Sequence, residues 1–442
     1  MKKANIVTLG CSKNTVDSEN IAGHISSAGH TVYFNRQQND CDLVIVNTCG
    51  FIGDAKEESV NTILKQIQDK RNFNRRHTKD CRRRILFVVG CLVERYRKEL
   101  QQELPEVDRW YGVHQWDNII KDALYTESKQ ISPIEPFTSE RTLSTPKHYA
   151  FLKIAEGCNR NCSYCAIPLI RGKHVSRPIE DLIDEAKSLV KNGVKEIIII
   201  SQDTTYYGLD LYGKRRLGDL LKKLATESGA QWIRLHYTYP SSFPRDAISA
   251  IKRYNNICKY IDIPLQHINS RILGSMQRGI DRKGTLDLLQ IFRDKLPGVS
   301  IRTTLIVGYP GETEADFEEL KQFVQDAKFD RMGCFAYSPE EGTPAEKLGD
   351  PISEEEKERR RSEIMAIQEA ISLEKNKERI GCTFKVLVDR IENDYYIART
   401  EFDSPDIDDE VLISAECSLR IGEFYNVRIT QATENDLYAE LV

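Results

Sequence analysis

No apolar run in this 442-residue sequence approaches the roughly 20 consecutive residues that a bilayer-spanning helix needs. The opening Met1-Lys2-Lys3-Ala4-Asn5 leads into a short strand and lacks the apolar stretch of a signal peptide. These two absences point to a cytoplasmic protein with no membrane partner. Charge of one sign is missing as well. The 63 Lys and Arg nearly balance 67 Asp and Glu, and a net charge of -4 sets up no global field for nucleic acid or membrane. No internal repeat is evident. In a reducing compartment the twelve cysteines are not a disulfide framework, so their grouping becomes the question. Six of them group and six do not.

The length predicts two or three domains. Residues 1–127 alternate short apolar runs (Ile6 to Leu9, Leu43 to Val46, Ile85 to Val89) with polar helical stretches, the pattern of a doubly wound parallel α/β sheet. Residues 128–146, rich in Ser, Thr, Pro and Glu, read as a linker. From Tyr149 the alternation resumes, with strands expected at Ala150 to Ala155, Glu196 to Ser201, Trp232 to His236, Tyr260 to Ile263, Ser300 to Ile306 and Arg331 to Tyr337. Six such units over residues 147–352 predict a partial, TIM-like β/α barrel. Ser353 and Glu356 open a charged helix over 353–380 whose stripe of Ile364, Ile367 and Ile371 suggests a connecting strut ended near Gly381. Residues 381–442 read as short alternating strands of a small antiparallel, OB-like β-barrel.

The run Glu156-Gly157-Cys158-Asn159-Arg160-Asn161-Cys162-Ser163-Tyr164-Cys165 sets three thiols at CxxxCxxC spacing directly after the first strand of the barrel. One short loop can wrap them around one metal centre. Three thiolates on a cubane cluster leave its fourth iron open to a small molecule. A zinc knuckle completed by His148 or His174 is the alternative. Active sites of β/α barrels lie at the C-terminal ends of the strands, where this loop falls. With Tyr164 before its last cysteine, the motif resembles the radical S-adenosylmethionine superfamily over roughly residues 145–340. The resemblance implies a 4Fe-4S cluster on Cys158, Cys162 and Cys165 that chelates the cofactor's methionyl group and reduces its sulfonium to give a deoxyadenosyl radical. It further implies that Tyr164 backs the adenine, and that the turn Gly308-Tyr309-Pro310-Gly311-Glu312 approaches the cofactor through Gly308 and Glu312. An ordinary strand-to-helix turn is the other reading of that segment.

Cys11, Cys49 and Cys91 each follow an apolar run of the N-terminal sheet, in the texts Leu9-Gly10-Cys11-Ser12-Lys13-Asn14, Asn47-Thr48-Cys49-Gly50-Phe51-Ile52 and Gly90-Cys91-Leu92. Loops beyond the carboxyl ends of parallel strands converge on one crevice, so cysteines far apart in sequence become neighbours. Taken singly, each is also a common small buried residue. The three texts resemble the methylthiotransferase N-terminal domain, and with it the resemblance extends over the whole chain: methylthiotransferase domain, radical domain, TRAM barrel. It implies a second, auxiliary 4Fe-4S cluster on Cys11, Cys49 and Cys91 that carries or accepts the sulfur. Cys81 competes for the third position, but lies among charged residues in what reads as a loop. Cys41, Cys258, Cys334, Cys382 and Cys417 are assigned packing roles.

The methylthiotransferase family divides into enzymes acting on adenosine in transfer RNA and enzymes acting on an aspartate β-carbon of small-subunit ribosomal protein 12. Residues 382–442 hold five Lys and Arg against fourteen Asp and Glu, a balance of -9 that repels phosphate backbones. A basic protein partner fits better. The run Phe402-Asp403-Ser404-Pro405-Asp406-Ile407-Asp408-Asp409 and the text Leu9 to Glu19 resemble the ribosomal-protein branch. The stretch Arg71 to Arg84, with seven Lys and Arg against one Asp, could touch RNA or be a solvated loop. Resemblance to the family implies an electron donor such as flavodoxin or ferredoxin. Gln202, Gln266, His267 and Arg278 are mouth residues by position alone. The competing readings are methylthiolation of transfer RNA and, in another class, a non-catalytic iron-sulfur or zinc protein.

Overall fold

The computed structural model describes residues 3–37, 40–124 and 141–442. The chain divides into two compact units, Met1–Thr145 with Ala166–Lys173, and Pro146–Cys165 with His174–Val442. Most of the linker expected over 128–146 lies outside the described residues. Among the described residues, no helix is long and apolar enough to cross a membrane.

The first unit is built on β1 (Lys3–Thr8), β2 (Thr31–Phe34), β3 (Leu43–Thr48), β4 (Ile85–Gly90) and β5 (Arg109–Tyr111). They pair in parallel in the order β2-β1-β3-β4-β5. Alternation along each strand sends Ile6, Ile45 and Phe87 to one face, against Ile21 and Ile25 of α1 (Ser12–Ser27) and Ile119 of α4 (Trp116–Leu124). Val44, Val46 and Val88 face the other side, against Ile63 and Ile67 of α2 (Gly53–Arg76) and Val93 of α3 (Cys91–Glu103). Both faces are covered, as the doubly wound reading requires. A fifth helix, α5 (Ile167–Arg171), joins this unit from the segment that follows Cys165.

The basic stretch expected as a loop is only half a loop. Helix α2 runs on to Arg76, and its last turns use the cations: Lys70 pairs with Asp108 and Arg71 with Glu106. Beyond it Arg82 donates to Asp42 at 2.9 Å and to Asp40 at 3.1 Å, and Arg84 is buried over the Phe73 ring. Cys81 sits exposed in the intervening turn.

In the second unit β6 (Tyr149–Lys153), the short ribbon β7 (Ala155–Glu156) with β8 (Val175–Ser176), β9 (Glu196–Ile200) and β10 (Trp232–Leu235) are followed by β11 (Tyr260–Asp262), β12 (Ser300–Val307) and β13 (Arg331–Ala336). The six longer strands form two three-stranded parallel sheets, β10-β9-β6 and β11-β12-β13. A parallel bridge from Ile233 to Ile257 runs beside β10 just ahead of β11. The all-buried Ile197 to Ile200 run is the signature of a parallel strand covered on both faces.

The C-terminal strands β14 (Thr383–Glu392), β15 (Tyr395–Thr400), β16 (Glu410–Ser414), β17 (Phe424–Ala432) and β18 (Asp436–Leu441) close a barrel in the order β14-β15-β16-β18-β17. It is not wholly antiparallel, as the sequence suggested, because β16 and β18 pair in parallel. The helix Glu354–Glu378 is capped by Ser353, whose hydroxyl accepts from the Glu356 amide, but it is no simple strut. Ile364 and Ile371 are buried, yet so are Lys357, Arg360, Gln368 and Asn376, and each of these four bonds to a side chain or backbone group of the unit around it.

The acidic run has a role that composition could not show. Asp403 accepts from Arg331 Nε at 3.0 Å, Asp408 from Arg302 Nε at 3.2 Å and from the Tyr260 hydroxyl at 2.7 Å, and Asp409 from Asn376 at 2.6 Å. Ser404 Oγ is hydrogen-bonded to His236 Nε2 at 3.0 Å. Asp403, Asp408 and Asp409 are thus turned inward, and Asp406, though exposed, accepts from the Tyr149 hydroxyl at 3.3 Å. The run ties the small barrel to the β/α strands, and most of its charge is spent internally, with Asp406 and Ile407 left exposed. Nearby, Arg399 pairs with Glu196 and Asp389, and Asp389 also bonds His148 at 2.8 Å.

Candidate functional site

In the first unit the loops leaving β1, β3 and β4 carry Cys11, Cys49 and Cys91 to the same end of the sheet, around the point where the strand order reverses. Glycines allow the approach. A Cβ on Gly10 would lie 2.7 Å from Cys49 Cβ, and one on Gly50 would lie 2.8 Å from Leu92 N and 2.9 Å from the Cys91 carbonyl carbon. Asn14, fully buried on α1, ties the loops together: its amide donates to Leu9 O at 2.8 Å and to Thr48 O at 3.1 Å. Burial pushes the Cys91 thiol up to about 11 and raises that of Cys49, with Arg171 opposing both. Ionising these thiols therefore calls for added positive charge, which iron would supply.

In the second unit Cys158, Cys162 and Cys165 follow β7 on a loop locked by its neighbours. Gly157 adopts φ +76°, which favours glycine, and starts the turn. Ser163 N donates to Met276 O at 3.0 Å, and its hydroxyl meets Tyr309 OH at 2.8 Å. Asn159 bridges the Tyr206 hydroxyl and the His174 amide, and Arg160 Nε donates to Asp203 at 2.7 Å. Arg278 reaches into the loop: Nη1 donates to Cys162 Sγ at 3.4 Å and to the Tyr164 hydroxyl at 3.2 Å. Tyr239 OH lies 3.5 Å from Cys162 Sγ. Burial pushes the Cys158 thiol up to about 11.

All twelve cysteines are free thiols. Among the described residues, no three His, Cys, Asp or Glu side chains converge tightly enough to hold a single metal ion. The histidines suggested for a zinc knuckle are engaged elsewhere, His148 with Asp389 and His174 with Ser176 at 3.1 Å. A cubane spreads its thiolates over several irons, so two groups of three thiols, with Cys49, Cys91 and Cys162 buried and the others partly so, fit the larger centre better than one ion at about 2.3 Å from each sulfur.

Other expected positions land unevenly. Tyr164 packs beside Tyr309 and Tyr337 with its hydroxyl on Arg278. The Gly308–Glu312 turn faces the helix Glu354–Glu378: a Cβ on Gly308 would meet Lys357 Cγ at 2.4 Å, and the buried Glu312 carboxylate accepts from Arg360 at 2.9 Å. Gln202 donates to Glu156 at 2.8 Å, while His267 Nδ1 accepts from the Asn269 amide at 2.9 Å. Cys41, Cys258 and Cys334 are buried as packing residues, whereas Cys382 is exposed, contrary to that expectation. Asn14, Asn159, Asp203, Tyr239 and Arg171 escaped the sequence reading. Asn14 and Asn159 stood in the cysteine texts, and a fully polar residue one helical turn or one step from a cysteine was the available signal.

Comparison with known proteins covers the chain from end to end. The Radical SAM superfamily matches residues 152–324, the Uncharacterized protein family UPF0004 residues 3–112, and the TRAM domain residues 380–442. The Ribosomal protein uS12 methylthiotransferase RimO of Phocaeicola vulgatus is 50% identical over 440 residues, covering 99% of each chain. Its counterpart in Flavobacterium psychrophilum is 52% identical over 439 residues, covering 99% of this chain and 98% of that one. Among solved structures, the radical S-adenosylmethionine methyltransferase TsrM of Kitasatospora setae, with cobalamin and a 4Fe-4S cluster bound, superposes with a TM-score of 0.55 at 12% identity, covering 78% of this chain and 77% of that one. At that identity the likeness concerns the fold. Half of all positions shared along the full length is a different matter, and on that ground the chain belongs to the ribosomal protein uS12 methylthiotransferase RimO family.

Proposed function

We propose that this protein methylthiolates the β-carbon of an aspartate in ribosomal protein uS12, in the cytoplasm, as a radical S-adenosylmethionine enzyme. The observation that carries the reading is the pairing of two cysteine triads with full-length, roughly 50% identity to proteins named for that reaction. Cys158, Cys162 and Cys165 hold the cluster that binds S-adenosylmethionine, and Cys11, Cys49 and Cys91 hold the auxiliary cluster. When bound, these groups supply a deoxyadenosyl radical for hydrogen abstraction, a methyl group and the sulfur to be transferred.

The chain's own residues do the positioning. Arg278 fixes Cys162 and Tyr164 together through one guanidinium, so the aromatic ring keeps one orientation beside the CxxxCxxC loop. Asn159 and Arg160 clamp the loop's first half to Tyr206 and Asp203. Asn14 holds the three strand-end loops of the other triad in register. Electrons come from a small donor protein such as a flavodoxin or ferredoxin. The basic stretch, with Arg71 and Arg82 paired to acids, offers less surface to RNA than its sequence suggests.

Mass spectrometry of uS12 and of transfer-RNA nucleosides, from cells with and without the gene, tests the reading. A methylthio mass lost from one aspartate of uS12 is the expected result. An intact modification there, with a methylthio-adenosine missing instead, would sink it.

A further inference from the structure

The segment that follows the CxxxCxxC loop sends an arginine into the other triad's unit. Residues 166–173 belong to the first unit, where Ala166 and Ile170 pack against Cys91 and Val113. At the end of that helix Arg171 is 2% exposed. Its Nη2 donates to Cys91 Sγ at 3.3 Å and to Asn14 Oδ1 at 2.6 Å, and its Nη1 donates to Asp17 Oδ2 at 2.8 Å. The two hydrogens on Nη2 are thus divided between a thiol and the asparagine that organises the loops. Asp17 pairs with the guanidinium, and Cys91 receives from it both positive charge and an oriented N–H at close range.

We propose that Arg171 is a positioning residue for the auxiliary cluster, whose N–H to the Cys91 sulfur raises the cluster's reduction potential. The inference rests on the reading of Cys11, Cys49 and Cys91 as cluster ligands. Reduction adds electron density to the thiolate sulfurs, and a hydrogen bond to sulfur stabilises that state more than the oxidised one. In a buried site no water can replace the lost donor, so the effect is not levelled by solvent. The arrangement also explains why an arginine occurs six residues after a cysteine of the other triad: it is delivered to the first unit by the excursion of residues 166–173.

The test uses the full chain carrying C158A, C162A and C165A, reconstituted anaerobically with iron and sulfide, so that only the auxiliary cluster contributes. Iron content comes first: a parent that takes up no iron overturns the ligand assignment itself, and the inference with it. In a parent that holds its cluster, an EPR-monitored redox titration should show R171M with a reduced-to-oxidised ratio about tenfold lower at the parent's midpoint, equivalent to about 59 mV for a one-electron couple. An unchanged midpoint in an R171M protein with full iron content overturns the proposal. If R171M loses its cluster, the parent protein labelled with guanidino-15N arginine decides. A 15N hyperfine coupling to the reduced cluster is expected, and its absence overturns the hydrogen bond.

Discussion

The two cysteine triads are assembled by opposite means. Cys158, Cys162 and Cys165 are neighbours in sequence, and a single loop bonded to Asp203, Tyr309 and Met276 O suffices to hold them. Cys11, Cys49 and Cys91 are separated by about forty residues each, and only a folded parallel sheet with glycine at the points of closest approach unites them. What the two share is an arginine on one sulfur, Arg278 on Cys162 and Arg171 on Cys91. Local spacing thus produces a site that forms with its loop, while topology produces one that exists only when the whole sheet does.

The comparison breaks most sharply if the two sites are removed in turn. Replacing Cys158, Cys162 and Cys165 by Ala should abolish both cofactor cleavage and methylthiolation while retaining about half of the iron. Replacing Cys11, Cys49 and Cys91 should abolish methylthiolation but leave release of deoxyadenosine in the presence of a reductant. Equal loss of cleavage from both triple variants would show that the triads are not separate centres.

Both units bury acids on cations, Asp17 on Arg171 in the first and Asp403 on Arg331 in the second. Asp403→Ala would strand Arg331 without its nearest carboxylate. A broken buried pair costs about 3–5 kcal/mol, so this variant should unfold at markedly lower denaturant than the parent. A loss below about 1 kcal/mol would mean that Asp409, 3.1 Å from Arg331, takes over the pairing.

These inward-facing acids mark where the sequence stopped being legible. The central strands were readable because apolar runs such as Ile197 to Ile200 admit few alternatives, and Cys11, Cys49 and Cys91 because each follows such a run. The edge strand Thr31–Phe34 and the three-residue Arg109–Tyr111 were missed, being too short or too exposed for a periodic signal. Charge runs were the weakest guide. Asp403, Asp408 and Asp409 look like a solvated loop in composition, and only the arginines of β12 and β13, some seventy to one hundred residues away in sequence, turn them inward. Arg278 was placed at the mouth by position alone and Arg171 was missed, since nothing local to either names the sulfur it meets.

Two smaller perturbations sharpen the contrast between loop-built and sheet-built sites. Arg278→Met should lower cofactor cleavage about 10- to 100-fold, the usual cost of losing a group that orients a metal ligand, with iron bound to the first unit unaffected. Gly50→Ala presses a methyl onto the Cys91–Leu92 backbone and should cost about 1–3 kcal/mol, with iron lost from the first unit before the second. Elemental analysis of each single variant, in the background lacking the opposite triad, separates these outcomes.

The smallest effect belongs to the surface charges of the first unit. Arg82 pairs with Asp40 and Asp42, but its side chain is 32% exposed and that of Asp40 is 54% exposed, so water and salt screen the attraction. Exposed pairs contribute about 0–1 kcal/mol, and Arg82→Ala should shift the urea midpoint by no more than that allows. The same variant tests whether the basic stretch touches RNA. A phosphate-contacting arginine would make activity on ribosomal particles steeply salt-dependent, and its removal would flatten that slope by about one unit. Because Arg82 is already committed to two carboxylates, the slope should be the same in the variant and the parent, and a flattened slope would reassign residues 71–84 to an RNA-facing role.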